Sequence, residues 1–195
     1  MATSAVSTLV VILLLIRSST AQPKPDDTSC IEGNQKKILD CCRMPLLVSQ
    51  GVVARCMMEN PMTLAVPGVQ RMEGCCIAQC LLTTLNAFSN NTIDKEAAKR
   101  AFAQSLSLDA YFIPLINAVV DECYNLVNNN AAYKAVPVAP KPGRKACSFA
   151  PEGFLNCVKT KLFQLCPVAV WTKNPACDRL KQKLAFGCSF DSLMG

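Results

Sequence analysis

No histidine occurs anywhere in the 195 residues, and that absence removes whole classes of chemistry. Ser-His-Asp and Cys-His nucleophile arrangements need an imidazole base, and the common Cys/His zinc sites need imidazole ligands. A secreted phospholipase needs a histidine beside its paired cysteines, and Cys41-Cys42 has none. A carboxylate-only hydrolase passes this test, but the acidic residues are few and scattered, with no pair that stands out. Strand-like alternation is essentially absent. Aromatic–basic interleaving is missing too. The basic residues at Lys36-Lys37, Lys95 to Arg100, Lys141 to Lys145 and Lys159 to Lys183 therefore read as solvated helix faces, and nucleic acid is not an expected partner. No catalytic residue, metal site or cofactor is implied.

Apolar length is confined to the start of the chain. Leu9 to Ile16 is uninterrupted but shorter than the about 20 residues that span a bilayer. Ser19-Thr20-Ala21 then presents small residues where a signal peptidase reads. Residues 1–21 are read as a secretory signal cleaved before Gln22, leaving 22–195 as an extracellular domain without a transmembrane segment. The net charge of +6 loses one unit when Arg17 leaves.

Thirteen cysteines are present, all beyond that signal. In an oxidising compartment such density reads as a disulfide framework, and an odd count leaves one sulfur without an intramolecular bridge. A domain of this size buries about 70% of its unfolded surface and can form a core without covalent help. One reason to staple it is protection from proteases. Another is a core left hollow for a ligand.

The periodicity is helical almost throughout. Ile31 to Arg43 and Leu46 to Met58 are short helices separated by Pro45. Val69 to Phe88 repeats apolar residues at threes and fours. Asn91 or Thr92 caps the next helix, with Asp94 in its first turn and an end near Leu106. Ser107 caps another, kinked or restarted by Pro114 and ending at Asn128-Asn129-Asn130. Ala131 to Ala146, with Pro137, Pro140, Pro142 and Gly143, is a linker or strap. Pro151 opens a helix to about Leu165. The last helix has Asn174 as cap, Pro175 in its first turn and Gly187 beyond its end. The fold class is all-α, with about eight helices. Asn90-Asn91-Thr92 makes Asn90 a glycosylation candidate.

Cys76 and Cys80, at i and i+4, share a helix face and can anchor two different neighbours. Cys157 and Cys166 are placed at opposite ends of one helix. The order Cys76-x3-Cys80-x42-Cys123-x23-Cys147-x9-Cys157-x8-Cys166-Pro167-x9-Cys177, with Asp40-Cys41-Cys42 and Pro45 before it, resembles the Plus-C subclass of insect odorant-binding proteins. The resemblance runs from Cys30 to Cys188. It implies a disulfide-stapled helical bundle around an apolar cavity, with N- and C-terminal extensions. It also implies core bridges Cys76–Cys157, Cys123–Cys166, and Cys80 with Cys42, Cys41 or Cys56. The remaining cysteines (Cys30, Cys75, Cys147, Cys177 and Cys188 among them) would supply further bridges to the extensions, one sulfur staying unpaired.

The function so implied is a secreted, non-enzymatic carrier of small apolar odorant or pheromone-like molecules, with an olfactory receptor as a further partner. Candidate lining residues are Met72, Leu81, Leu85, Phe88, Phe112, Leu115, Val119, Phe154, Val158 and Phe163, each of which also suits ordinary core. The resemblance implies ligand release as pH falls. Without histidine, such release runs on carboxylates, with a midpoint below about 6. The alternative is a secreted interaction or inhibitor protein on the same scaffold without a cavity. A plant-type lipid-transfer protein would be about half as long and carry a Cys-x-Cys element, which is missing. Both monomer and homodimer fit, since the Pro-rich segment could act as a strap or as a swapping hinge.

Overall fold

The computed structural model describes residue 30 and residues 37–61, 73–107, 109–134 and 146–194. Its α-helices are α1 (Ile38–Cys41), α2 (Gln50–Glu59), α3 (Glu73–Thr84), α4 (Lys95–Ser105), α5 (Ile113–Asn129), α6 (Ala150–Gln164) and α7 (Pro175–Ala185). Seven helices among the described residues, with six disulfides, give the mostly helical, disulfide-rich fold that the sequence implies. Met72, the signal segment 1–21 and most of the Pro-rich stretch lie outside the described residues. Of that stretch, Ala131–Lys134 is a 3₁₀ turn. Among the described residues no helix is long and apolar enough to cross a membrane.

Local chemistry explains most boundaries. The Asn174 side chain accepts from the Ala176 N–H at 2.8 Å, and Pro175 fills the first turn, where a missing N–H costs nothing. At the other end Gly187 takes φ 101°. Its N–H reaches the Leu184 carbonyl and the Cys188 N–H reaches Lys183, closing the helix by a Schellman motif. Asn86, at φ 55°, closes α3 the same way, so that helix ends at Thr84 and Phe88 is not part of it.

Phe88 instead opens a hairpin that the sequence reading missed. Strand β1 (Phe88–Ser89) pairs antiparallel with β2 (Thr92–Ile93), turning through Asn90 and Asn91 at φ 48° and 58°. Two consecutive left-handed residues are the requirement of a type I′ turn, and asparagine tolerates that region best after glycine. The cap of α4 is therefore Asp94, whose carboxylate accepts from the Ala97 N–H at 2.9 Å, and not Asn91 or Thr92.

The bridges are Cys30–Cys188, Cys41–Cys177, Cys42–Cys166, Cys56–Cys80, Cys76–Cys147 and Cys123–Cys157. Of the three partners left open for Cys80, the structure selects Cys56, which joins α3 to α2. The other two implied pairings are corrected. Cys157 lies in the middle of α6, not at its end, and faces Cys123 of α5 with a Cα–Cα distance of 5.6 Å, so it meets neither Cys76 nor the far end of the bundle. Cys76, at the start of α3, meets Cys147 just before α6. Cys166 has passed the end of α6 and takes Cys42, which also forms an isolated antiparallel bridge with Trp171.

One contiguous apolar core runs through the molecule. Ile38, Leu82, Ala98, Phe102, Phe112, Val120, Phe154, Val158, Leu162 and Phe163 are fully buried in it. Phe102 stacks on Phe154, and Phe163 meets Trp171 and Phe190 edge-on. Around its outside, α4 and α5 are clamped by Asp121, whose oxygen lies 2.8 Å from Lys99 and 3.0 Å from Lys95. Lys161 of α6 pairs with Glu122 of α5.

Candidate ligand-binding cleft

The hairpin, the end of α5, the 3₁₀ turn and the start of α6 enclose a partly open cleft of about 240 Å³. Its lining residues are Asn91, Thr92, Ile93, Tyr124, Val127, Asn128, Tyr133, Lys134 and Ala150. Ile93, Val127 and Ala150 are buried members of the main core, so the floor of the cleft is the outer surface of that core. Tyr124 and Tyr133, packed against the same core, form apolar walls, while Asn91, Asn128 and Lys134 face water at the rim.

Each wall is held by local bonding. Past the end of α5, the Asn130 side chain accepts from the Ala132 N–H at 2.9 Å and its carbonyl accepts from the Tyr133 N–H at 3.1 Å. That Asx turn folds the chain back and brings Tyr133 over α6. The ring lies so close to Gly153 that a Cβ there would overlap it, which is why α6 carries glycine inside its first turns. Ala150 is fixed by Ser148, whose hydroxyl accepts from the Ala150 N–H at 3.3 Å and whose own N–H donates to the Gln79 side chain at 2.8 Å. Lys95 sits 5.6 Å from the Tyr124 ring centre on the side toward α4.

The lining carries one ammonium, Lys134, and no carboxylate among the described residues. Such a site can hold a small guest by burial, with a hydrogen-bonding rim, and has no nucleophile–base pair for covalent chemistry.

The candidate lining residues from the sequence lie elsewhere. Phe88, Phe112, Val119, Phe154, Val158 and Phe163 are buried in the core, and Leu81, Leu85 and Leu115 pack at its margin. None of these nine lines the described cleft. The cleft residues themselves were missed because the hairpin was missed. The available signal was Asn90-Asn91 between Phe88 and Ile93, read as a sequon and a helix cap. Asn90 and Thr92 are both exposed at that turn, with the Thr92 hydroxyl donating to the Asn90 carbonyl at 3.3 Å.

The profile of the family described as AgamOBP47-like matches residues 45–183. Similar proteins include general odorant-binding protein 67 of Anopheles gambiae, 25% identical over 189 residues that span 95% of this chain and 90% of the relative. Odorant-binding protein 47 of the same mosquito is 26% identical over 164 residues, spanning 78% and 70%.

Proposed function

This chain belongs to the AgamOBP47-like family of insect odorant-binding proteins, and on that premise we propose that it is a secreted, non-enzymatic carrier of small apolar molecules. The observation that carries the reading is the cleft floored by Ile93, Val127 and Ala150, where an apolar guest would contact core side chains directly. The names of the mosquito relatives and the six-bridge frame of an extracellular protein support it. The Plus-C assignment, removal of residues 1–21, glycosylation at Asn90 and delivery to a receptor belong to the same proposal.

Size limits the guest. A cavity of about 150 Å³ accommodates benzene, so the 240 Å³ cleft suits a ring with a short chain, on the order of ten carbons. Half-burying such a guest at about 0.8 kcal/mol per methylene yields roughly 4 kcal/mol before the cost of association, which by itself gives millimolar binding at best. Micromolar binding requires the guest to go deeper, with Tyr133 turning aside so that the guest reaches the core residues around Phe88 and Phe154. Of the sequence candidates, Phe88 and Phe154 would then line the occupied state.

Titration with N-phenyl-1-naphthylamine, competed by a ten-carbon alcohol, tests the reading. The expected result is saturable fluorescence that the alcohol displaces, and at least a tenfold weaker response in Asn128→Trp, which fills the cleft from an exposed position. No saturable binding, or equal affinity in the folded Asn128→Trp variant, overturns it. Since the chain has no imidazole, affinity for a neutral guest should stay flat between about pH 6 and pH 8.

A further inference from the structure

Charge around the cleft is one-sided. Lys134 closes the 3₁₀ turn, lies exposed at the rim and has no ion pair among the described residues. The carboxylates that neighbour the lining along the chain are engaged with other groups. Asp94, next to Ile93, caps α4 by accepting from the Ala97 N–H at 2.9 Å. Asp121 is held between Lys95 and Lys99, and Glu122 pairs with Lys161. Between Glu122 and Glu152 the sequence holds no aspartate or glutamate at all.

The rest of the rim points the same way. Asn91 and Asn128, both exposed there, bring amide N–H donors to the side of the cleft that faces water. A cationic guest has no counterpart. The ring of Tyr124 could otherwise face an ammonium, but that of Lys95 already stands 5.6 Å from its centre. A carboxylate at this rim keeps one side in water, so it escapes the desolvation cost that a buried ion bears.

We propose that the preferred guest is a monocarboxylate, an aryl or alkyl acid of about ten carbons, whose tail lies on Ile93, Val127 and Ala150 while its carboxylate meets Lys134. This rests on the carrier reading and narrows its ligand class. One ammonium answers one negative charge, so a monoacid fits better than a diacid. Water limits the gain. An exposed ion pair with charge-assisted hydrogen bonds raises affinity about fivefold over the neutral equivalent at low ionic strength, and less as salt screens it.

Three guests on one ten-carbon skeleton test this in the full oxidised chain: 4-phenylbutyrate, 4-phenyl-1-butanol and 4-phenylbutylamine. Each is used to displace N-phenyl-1-naphthylamine at neutral pH and about 20 mM salt. The acid should displace the probe at about fivefold lower concentration than the alcohol, with the amine weakest. The readout is the ratio of acid to alcohol affinity, in which any general change in the cleft cancels. That ratio should fall to about one in Lys134→Met, below one in Lys134→Glu, and towards one in the wild type at about 0.5 M salt. Equal acid and alcohol affinities in the wild type, or a ratio that survives in Lys134→Met, overturn the carboxylate assignment and leave the carrier reading standing. If none of the three displaces the probe, the carrier reading falls and the assignment with it. Should the variants fail to fold, the wild-type ratio and its salt dependence decide alone.

Discussion

Deleting Cys42–Cys166 should cost less than deleting Cys56–Cys80, although its sequence separation is 124 against 24. Counted as an isolated loop, the first bridge is worth about 4.9 kcal/mol and the second about 3.5 kcal/mol in the chain-entropy model. The loops are not isolated. Cys41–Cys177 already joins the neighbouring positions, so closing Cys42 to Cys166 adds only the path through Cys41 and back from Cys177, about 12 residues. That reduces its contribution to about 2.8 kcal/mol, whereas Cys56–Cys80 has no shorter path and keeps its full value. The paired Cys→Ala variants should be compared by guanidinium and by thermal unfolding without reductant, each followed by circular dichroism. For a domain of this size, 1 kcal/mol shifts Tm by about 2–4 °C, so losses of about 6–11 °C and 7–14 °C are expected, in that order. A Cys42/Cys166 loss that exceeds the Cys56/Cys80 loss by more than 1 kcal/mol would refute the nesting argument.

Three further outcomes are expected. Phe154→Ala removes a ring that is fully buried and stacked on Phe102 and should cost about 3–5 kcal/mol by denaturant unfolding; a loss below about 1 kcal/mol would mean the core is loosely packed there. Hydrogen bonds from Lys99 and then Lys95 hold the Asp121 carboxyl below its ordinary value, and the same contact holds Lys99 above its own. The clamp's stabilisation is therefore complete above the ordinary carboxylate pKa and lost as pH falls through the lowered one; at the basic end it is lost as pH rises through the raised lysine value. The Tm difference between wild type and Asp121→Asn should then be level at neutral pH and vanish in strong acid, and a difference that grows in acid would contradict this. Gly153→Ala should push the Tyr133 ring off α6, changing probe affinity severalfold while the far-ultraviolet spectrum stays helical; unchanged affinity would remove Tyr133 from the site.

The parts of the fold legible in sequence are those fixed by neighbours in the chain. Asn174, Pro175 and Gly187 mark both ends of α7 because capping depends only on a few adjacent backbone groups. Helical periodicity likewise placed α6 and the end of α5, whose start at Ile113, beside Pro114, lies beyond the expected cap Ser107. Bridge partners depend on which faces meet after packing: Cys123 finds Cys157 because α5 and α6 lie side by side, a relation that spacing does not encode. The cleft was least visible. Its floor consists of ordinary core residues such as Ile93 and Val127, and its existence depends on an Asn90-Asn91 turn whose left-handed backbone looks, in sequence, like any polar loop.

Nitrogen–proton correlation spectra of the oxidised protein, recorded while a ten-carbon apolar alcohol is added, test the carrier assignment most directly. Saturable shifts at the amides of Ile93, Tyr124, Val127, Tyr133 and Ala150 are expected, extending to Phe88 and Phe154 if the guest goes deeper. Spectra that do not change to saturation, or that change only on surfaces remote from these residues, would contradict it.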